Sequence, residues 1–248
     1  MNPLAPPVLE LHDVKRHFGG IRAVDGVTIA ISEGTVVAVI GPNGAGKSTL
    51  FALLMGELAL SGGTISLDGR DMRGLSPDRR ARLGMGRTFQ APRLFAGLSV
   101  QENIGIVLHA RRGQAASAGS GASAPLAEVG LEDQAGALAG SLSQGQRKRL
   151  ELAMVLALEP RILLLDEPTA GMGVGERASI MGLVMAAVKR RGLTMVFCEH
   201  DMETVFAHAR RVVVMDRGTL IADGSPESVR GDALVQEVYL GRHPGSEA

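Results

Sequence analysis

A chain of 248 residues is long enough for one large α/β domain, or a domain with a subdomain, and can bury a sizeable core. Lys plus Arg and Asp plus Glu both number 26, and this zero formal charge offers no electrostatic footprint for nucleic acid and no polybasic anchor for an anionic membrane. The single cysteine, Cys198, excludes an internal disulfide and fits a reducing compartment, and no apolar run reaches bilayer-spanning length.

The Pro-rich start, Met1 to Pro7, lacks the basic-then-apolar order of a signal peptide, so a cytoplasmic address is expected. Val8 to Val14 and Val27 to Ile31 read as short strands about a turn at Phe18-Gly19-Gly20. Thr35 to Ile40 is a nearly continuous apolar, β-branched run, the pattern of a buried parallel strand. A glycine loop follows it, and Ser48 to Leu58 then reads as a helix. Thr64 to Leu67 reads as a strand leaving into Asp68-Gly69, and Arg87-Thr88-Phe89 as another, ending at Gln90. Ser99-Val100-Gln101-Glu102 is a capping-box pattern opening a helix to about Ala110. Gly113 to Pro125 has no apolar period and reads as a flexible surface linker. Leu126 to Leu131 and Ser143 to Leu158 read as helical, the second capped by Ser143 and striped by Leu150, Ala153, Met154 and Ala157. A strand at Ile162 to Leu165, a helix near Glu176 to Arg190 and strands at Thr194 to Cys198, Val212 to Met215 and Thr219 to Ala222 follow. Ser225-Pro226-Glu227 opens a final helix, with Ser as cap and Pro at its first position. No internal repeat is present.

Three motifs carry chemistry. Gly41-Pro42-Asn43-Gly44-Ala45-Gly46-Lys47-Ser48-Thr49 fits G-x-x-x-x-G-K-S/T between a predicted strand and a predicted helix, the context that gives this pattern meaning. Its glycines let backbone N–H groups approach phosphate oxygens, and the helix start adds a positive dipole end. Lys47 is suited to the β- and γ-phosphates, Ser48 to Mg²⁺ and Thr49 to the α-phosphate. Asp166 and Glu167 emerge at the carboxyl end of an apolar strand, where α/β sheets place ligands. Asp166 is suited to hold Mg²⁺ through water, and Glu167 to orient and deprotonate an attacking water. In Leu142-Ser143-Gln144-Gly145-Gln146, a capping hydroxyl and bare backbone stand at a helix N-terminus, at once an ordinary cap and a ready anion site.

In this order the three motifs resemble the ATP-binding cassette (ABC) family, and the resemblance runs from about Leu9 to Gly241. It implies an α/β P-loop NTPase fold of the ABC ATPase type, with a parallel-sheet core, an N-terminal antiparallel β subdomain and a helical subdomain. Residues 8–90 and 160–241 would form the core with the β subdomain, about 91–159 the helical signature subdomain, and 1–7 and 242–248 flexible ends. It also implies ATP and Mg²⁺, with two subunits head to tail. Each ATP would be held by Lys47 of one chain and by Ser143, Gly145 and Gln146 of the other. By the same resemblance Phe18 stacks on adenine, Gln90 senses Mg²⁺ and the attacking water, and His200 is the switch histidine at the γ-phosphate.

Other stretches narrow the resemblance to ATP-binding subunits of branched-chain amino-acid importers. They are Arg87-Thr88-Phe89-Gln90 with Arg93-Leu94-Phe95, Leu98 to Asn103, Glu199-His200-Asp201-Met202 with Val205-Phe206, and Val238-Tyr239-Leu240-Gly241. Urea-importer and lipopolysaccharide-export ATPases share much of this pattern. The expected function is ATP hydrolysis on the inner face of the cell membrane. Permease subunits would be the direct partners, a solute-binding protein an indirect one, and nucleic acid none. A non-transport ABC ATPase acting on nucleic acid or the ribosome is the alternative, but the long coiled coils, duplicated cassettes or basic extensions usual in such proteins are missing from the sequence. Two departures stand out. Gln144 replaces the glycine usual in the middle of LSGGQ, and Gly173 stands where the family often has Asp or Asn.

Overall fold

The computed structural model describes residues 7–112 and 121–240, so most of both expected flexible ends, and residues 113–120 of the Gly/Ala/Ser tract, lie outside the described residues. The chain divides into two units, one made of residues up to Arg80 and from Thr194 onward, the other of Ala81–Leu193.

The first unit opens with β1 (Pro7–Phe18) and β2 (Ile21–Ser32), an antiparallel pair turning at Gly19-Gly20. Both strands outrun the short ones expected. The period-2 apolar pattern breaks at Asp13, a positive-φ residue (49°) where the register slips, and pairing resumes beyond it. β3 (Val36–Ile40) is buried at every residue. The glycine loop leads into α1 (Lys47–Met55), which stops short of Leu58 because Gly56 closes it in the left-handed conformation (φ 74°). Buried Arg80 donates to the last carbonyls of α1, those of Leu53 and Leu54, and to that of Met72. β4 (Gly62–Leu67) pairs antiparallel with β1, and β5 (Arg70–Asp71) with β4, completing an antiparallel sheet ordered β2-β1-β4-β5. Helix α2 (Pro77–Arg82) leads on.

The second unit holds β6 (Met85–Thr88), α3 (Val100–Arg112), α4 (Ser123–Val129), α5 (Gln144–Ala157), β7 (Ile162–Asp166) and α6 (Val174–Arg191). β6 and β7 pair in parallel from Met85↔Ile162 to Thr88↔Leu165. β6 ends one residue before the expected Phe89, whose N–H turns to the Glu151 carboxylate instead. The capping box of α3 forms as expected, with Glu102 accepting from Ser99 N–H and hydroxyl, each at 2.7 Å. The linker reading is corrected at its end: Ser123, Ala124 and Pro125 are the first turn of α4, where a proline loses no intrahelical bond. Its apolar residues Leu126 and Val129 are buried, and Gly130 (φ 65°) ends it before Leu131. α5 is also corrected in character. Leu152, Val155 and Leu156 are buried beside Leu150, Ala153 and Ala157, while Met154 is half-buried, so the helix is enclosed nearly all round.

The chain then returns to the first unit with β8 (Thr194–Cys198), α7 (Met202–His208), β9 (Arg211–Asp216), β10 (Thr219–Gly224), α8 (Pro226–Arg230) and α9 (Ala233–Val235). β3 lies between β8 and β9, parallel to both, and β10 closes antiparallel on β9. Flanking strands and both faces covered explain why β3 and β8 are apolar without alternation. Ser225 caps α8 with Pro226 at its first position, as expected, yet α8 is not the last helix: Asp232 caps α9, and a π-helical turn Gln236–Leu240 follows. The architecture is α/β, with a parallel core and a separate antiparallel sheet, as the sequence implied.

Candidate nucleotide site

The residues singled out divide between the units. Phe18, the loop Gly41 to Thr49, and His200 belong to the first; Gln90, Ser143, Gly145, Gln146, Asp166 and Glu167 belong to the second.

In the first unit the loop is held by backbone alone. Gly41 has φ 153°, and a Cβ there would sit 2.2 Å from the Met215 carbonyl oxygen of β9. Gly46 has φ 104°, and its Cβ would sit 2.2 Å from the Ala23 oxygen of β2. Gly44 (φ 80°) instead faces open space, with nothing within 4 Å of a Cβ among the described residues. The Gly218 N–H bonds the Ala45 oxygen at 2.9 Å, tying the loop to the β9–β10 turn. Helix α1 starts from Gly46 with no side-chain cap and no acidic residue in its first turn. Lys47 is 7% exposed and donates to the carbonyls of Gly41 (2.7 Å) and Pro42 (3.1 Å). A buried ammonium, an uncapped helix start and a glycine facing open space form a cradle that fits an anion. Asn43 and Ser48 are exposed, and Thr49 is half-buried. Phe18 ends β1, 41% exposed, with the Arg16 guanidinium 4.3 Å from its ring centre. His200 is exposed just after β8, where neighbouring Asp201 caps α7.

In the second unit β7 delivers Asp166, buried, to its carboxyl end, where Arg87 Nη2 meets Asp166 Oδ2 at 2.9 Å. Glu167 follows in a left-handed conformation (φ 48°), costly for a residue with a β-carbon. Its Oε2 accepts from Gln90 Nε2 at 2.8 Å, so the fold brings these two expected residues into direct contact. Arg87 had no role from sequence reasoning. Its partner lies far along the chain, and only the parallel pairing of β6 with β7 makes them neighbours.

At the start of α5, Ser143 Oγ accepts from Gln146 N–H (3.3 Å) and Gln146 Oε1 accepts from Ser143 N–H (3.0 Å). A cavity of about 490 Å³ opens there, lined by Ser143, Gly145, Gln146, Arg149 and Glu176 among others. Gln144 Nε2 donates to Ala170 O at 3.4 Å, so this unusual side chain lies along the loop after Glu167. Gly173, the other departure, is the N-cap residue of α6 and supplies no capping side chain.

A glycine cradle before an uncapped helix, and a parallel strand ending in paired carboxylates, define a nucleotide-binding protein of the P-loop class. The family model for ABC transporters matches residues 24–170, and that for branched-chain amino acid ATP-binding cassette transporters matches residues 219–244. The chain belongs to the ABC transporter family, as an ATP-binding subunit homologous to those of branched-chain amino acid transporters. It is similar to the high-affinity branched-chain amino acid transport ATP-binding protein BraF of Pseudomonas aeruginosa, 38% identical over 253 residues, covering 96% of this chain and 99% of that protein. LivG of Escherichia coli, with the same description, is 35% identical over 254 residues at the same coverage. Among solved structures, the ADP conformation of an ATP-binding cassette of an ABC transporter matches with TM-score 0.84 and 29% identity over 95% of this chain and 99% of that one. A nucleotide-free cassette from an ABC transporter matches with TM-score 0.82 and 27% identity, over 94% and 98%.

Proposed function

We propose that this chain hydrolyses ATP to drive import of branched-chain amino acids or a similar small polar solute. The observation that carries the hydrolytic reading is the Gln90–Glu167 hydrogen bond, made by a carboxylate held in a left-handed backbone conformation directly after Asp166. The names of the relatives, and the branched-chain model on residues 219–244, support the choice of solute.

The loop amides from Gly41 to Thr49 and the Lys47 ammonium bind the triphosphate, and Phe18 stacks on adenine. Ser48 and Gln90, with Asp166 through water, would hold Mg²⁺. Asp166, buried at the carboxyl end of β7, supplies the hard carboxylate oxygen that Mg²⁺ prefers. That ion would offset phosphate charge. Glu167 takes a proton from the attacking water, the water oxygen bonds to the γ-phosphorus, and the bond to the bridging oxygen breaks to release ADP. His200 contacts the γ-phosphate, and Gln90 keeps the carboxylate and water aligned.

Ser143, Gly145 and Gln146 serve the nucleotide of a second cassette, identical or related, in a head-to-tail dimer. The helical segment of about residues 91–159 passes the motion to membrane permease subunits served by a solute-binding protein. No helix among the described residues is long and apolar enough to cross a membrane. Attachment to the inner face would come through the permease. The test is Glu167→Gln in the full chain. We expect hydrolysis to fall about 100-fold or more with ATP binding retained, and Mg²⁺-ATP to trap a dimer visible by light scattering. Undiminished hydrolysis would overturn the reading, and a persistent monomer with ATP bound would rule out a dimer of identical chains.

A further inference from the structure

Helix α5 carries two charged side chains in its buried face, Lys148 and Glu151, whose side chains are 5% and 4% exposed. One helical turn apart, they meet only at 3.4 Å. Their other bonds go to the segment after β6. Lys148 Nζ donates to the Phe89 carbonyl, and Glu151 Oε1 accepts from Phe89 N–H at 3.0 Å and from Arg93 N–H at 3.4 Å. Both backbone groups of Phe89 are thus fixed immediately before Gln90, and a third point is fixed just beyond it. The Phe89 ring also lies under the guanidiniums of Arg87 (5.1 Å) and Arg93 (3.9 Å).

Burying a carboxylate and an ammonium is costly, and apolar residues of similar size would serve stability at least as well. The return lies in what the pair holds. Residues Phe89 to Arg93 belong to no helix or strand, and the Phe89 N–H and carbonyl and the Arg93 N–H find partners in these side chains instead of in a ladder. Burial pushes the Glu151 carboxyl up, with Lys148 and the two N–H groups opposing it. Ser143, the N-cap of the same helix, lies five residues before Lys148 and eight before Glu151, about 7.5 and 12 Å along the axis at 1.5 Å per residue, so its displacement would carry the clamp with it.

We infer that Lys148 and Glu151 are positioning residues: they clamp the backbone around Gln90 so that its amide stays on Glu167, and they join the start of α5 mechanically to that contact. This rests on the catalytic reading of Gln90 and Glu167 given above. The test is a double-mutant cycle in the full chain, reading single-turnover ATP hydrolysis and binding of a fluorescent ATP analogue. Lys148→Met with Glu151→Met removes both charges and their hydrogen bonds together, so neither charge is left buried alone. Gln90→Ala and the charge-free pair should each slow turnover about tenfold, the charge-free pair with analogue affinity held within about twofold, and the triple variant should be no slower than Gln90→Ala. A merely structural pair would give losses that multiply, which overturns the inference alone. An unchanged Gln90→Ala rate would overturn the reading of Gln90 and this inference with it. Amide exchange in the wild-type chain guards against a variant that fails to fold: the Phe89 and Arg93 amides should be protected, and exchange at open-loop rates would remove the clamp.

Discussion

Replacing Gly41 and Gly44 by alanine, one at a time, separates two demands that the phosphate loop makes on its backbone. At Gly41 (φ 153°) the new Cβ would stand 2.2 Å from the Met215 oxygen and 3.1 Å from the Ala45 Cβ. Strain in a conformation that L-residues rarely adopt costs about 1–3 kcal/mol, and pushing β9 and the loop apart adds about 1–3 kcal/mol of overpacking. A central value of about 4 kcal/mol, at roughly 2–4 °C per kcal/mol for a chain of this size, lowers Tm by on the order of 8–16 °C. At Gly44 (φ 80°) no described atom lies within 4 Å of the Cβ. Only the left-handed strain of about 1–2 kcal/mol remains there, roughly 2–8 °C. The added methyl would instead stand where phosphate approaches, and we expect ATP affinity to fall about tenfold or more. Calorimetric unfolding and titration with a fluorescent ATP analogue read the two quantities separately. Equal Tm losses in the two variants, or full affinity in Gly44→Ala, would refute the reasoning.

Other perturbations follow from the same geometry. Arg87→Met leaves the Asp166 carboxylate buried without its guanidinium, and the urea midpoint should report a loss of about 3–5 kcal/mol; less than about 1 kcal/mol would mean that the pair is not buried in solution. Gly173→Asp restores a capping side chain to α6 in space with nothing within 4 Å among the described residues, and should add about 0.5–1 kcal/mol, whereas a lowered Tm would count against the cap. The Ser99 hydroxyl, with its N–H, holds the Glu102 carboxyl below its ordinary range. A depressed folded pKa gives stability that is present above the unfolded value and lost as pH falls through the folded one. Glu102→Gln should therefore flatten the acid limb of a Tm–pH curve, and parallel limbs would sink this assignment.

Legibility from sequence followed the range of the interaction. The Ser99–Glu102 capping box and the Ser143 cap of α5 rest on bonds spanning three residues, and both were readable before any fold was known, whereas the return bond from Ser143 N–H to Gln146 was not read. So was the buried run of β3, because an all-apolar, β-branched strand admits few environments. The lengths of β1 and β2 were not readable, since the irregularity at Asp13 shifts the alternation that marks a strand. Nor was the start of α4, where a Gly/Ala/Ser composition masks residues whose helix is set by burial of Leu126 and Val129.

The sequence by itself determined the family and the α/β class and marked out the glycine loop, because these rest on short-range patterns of glycine, charge and apolar periodicity. Only the tertiary structure decided why Gly41 must be glycine, which cation faces Asp166, and that Gln90 touches Glu167. It alone showed that Lys148 and Glu151 grip Phe89. Each of these contacts joins segments far apart in the chain, so its partners become neighbours only once strands have paired and α5 is enclosed. No local propensity encodes that.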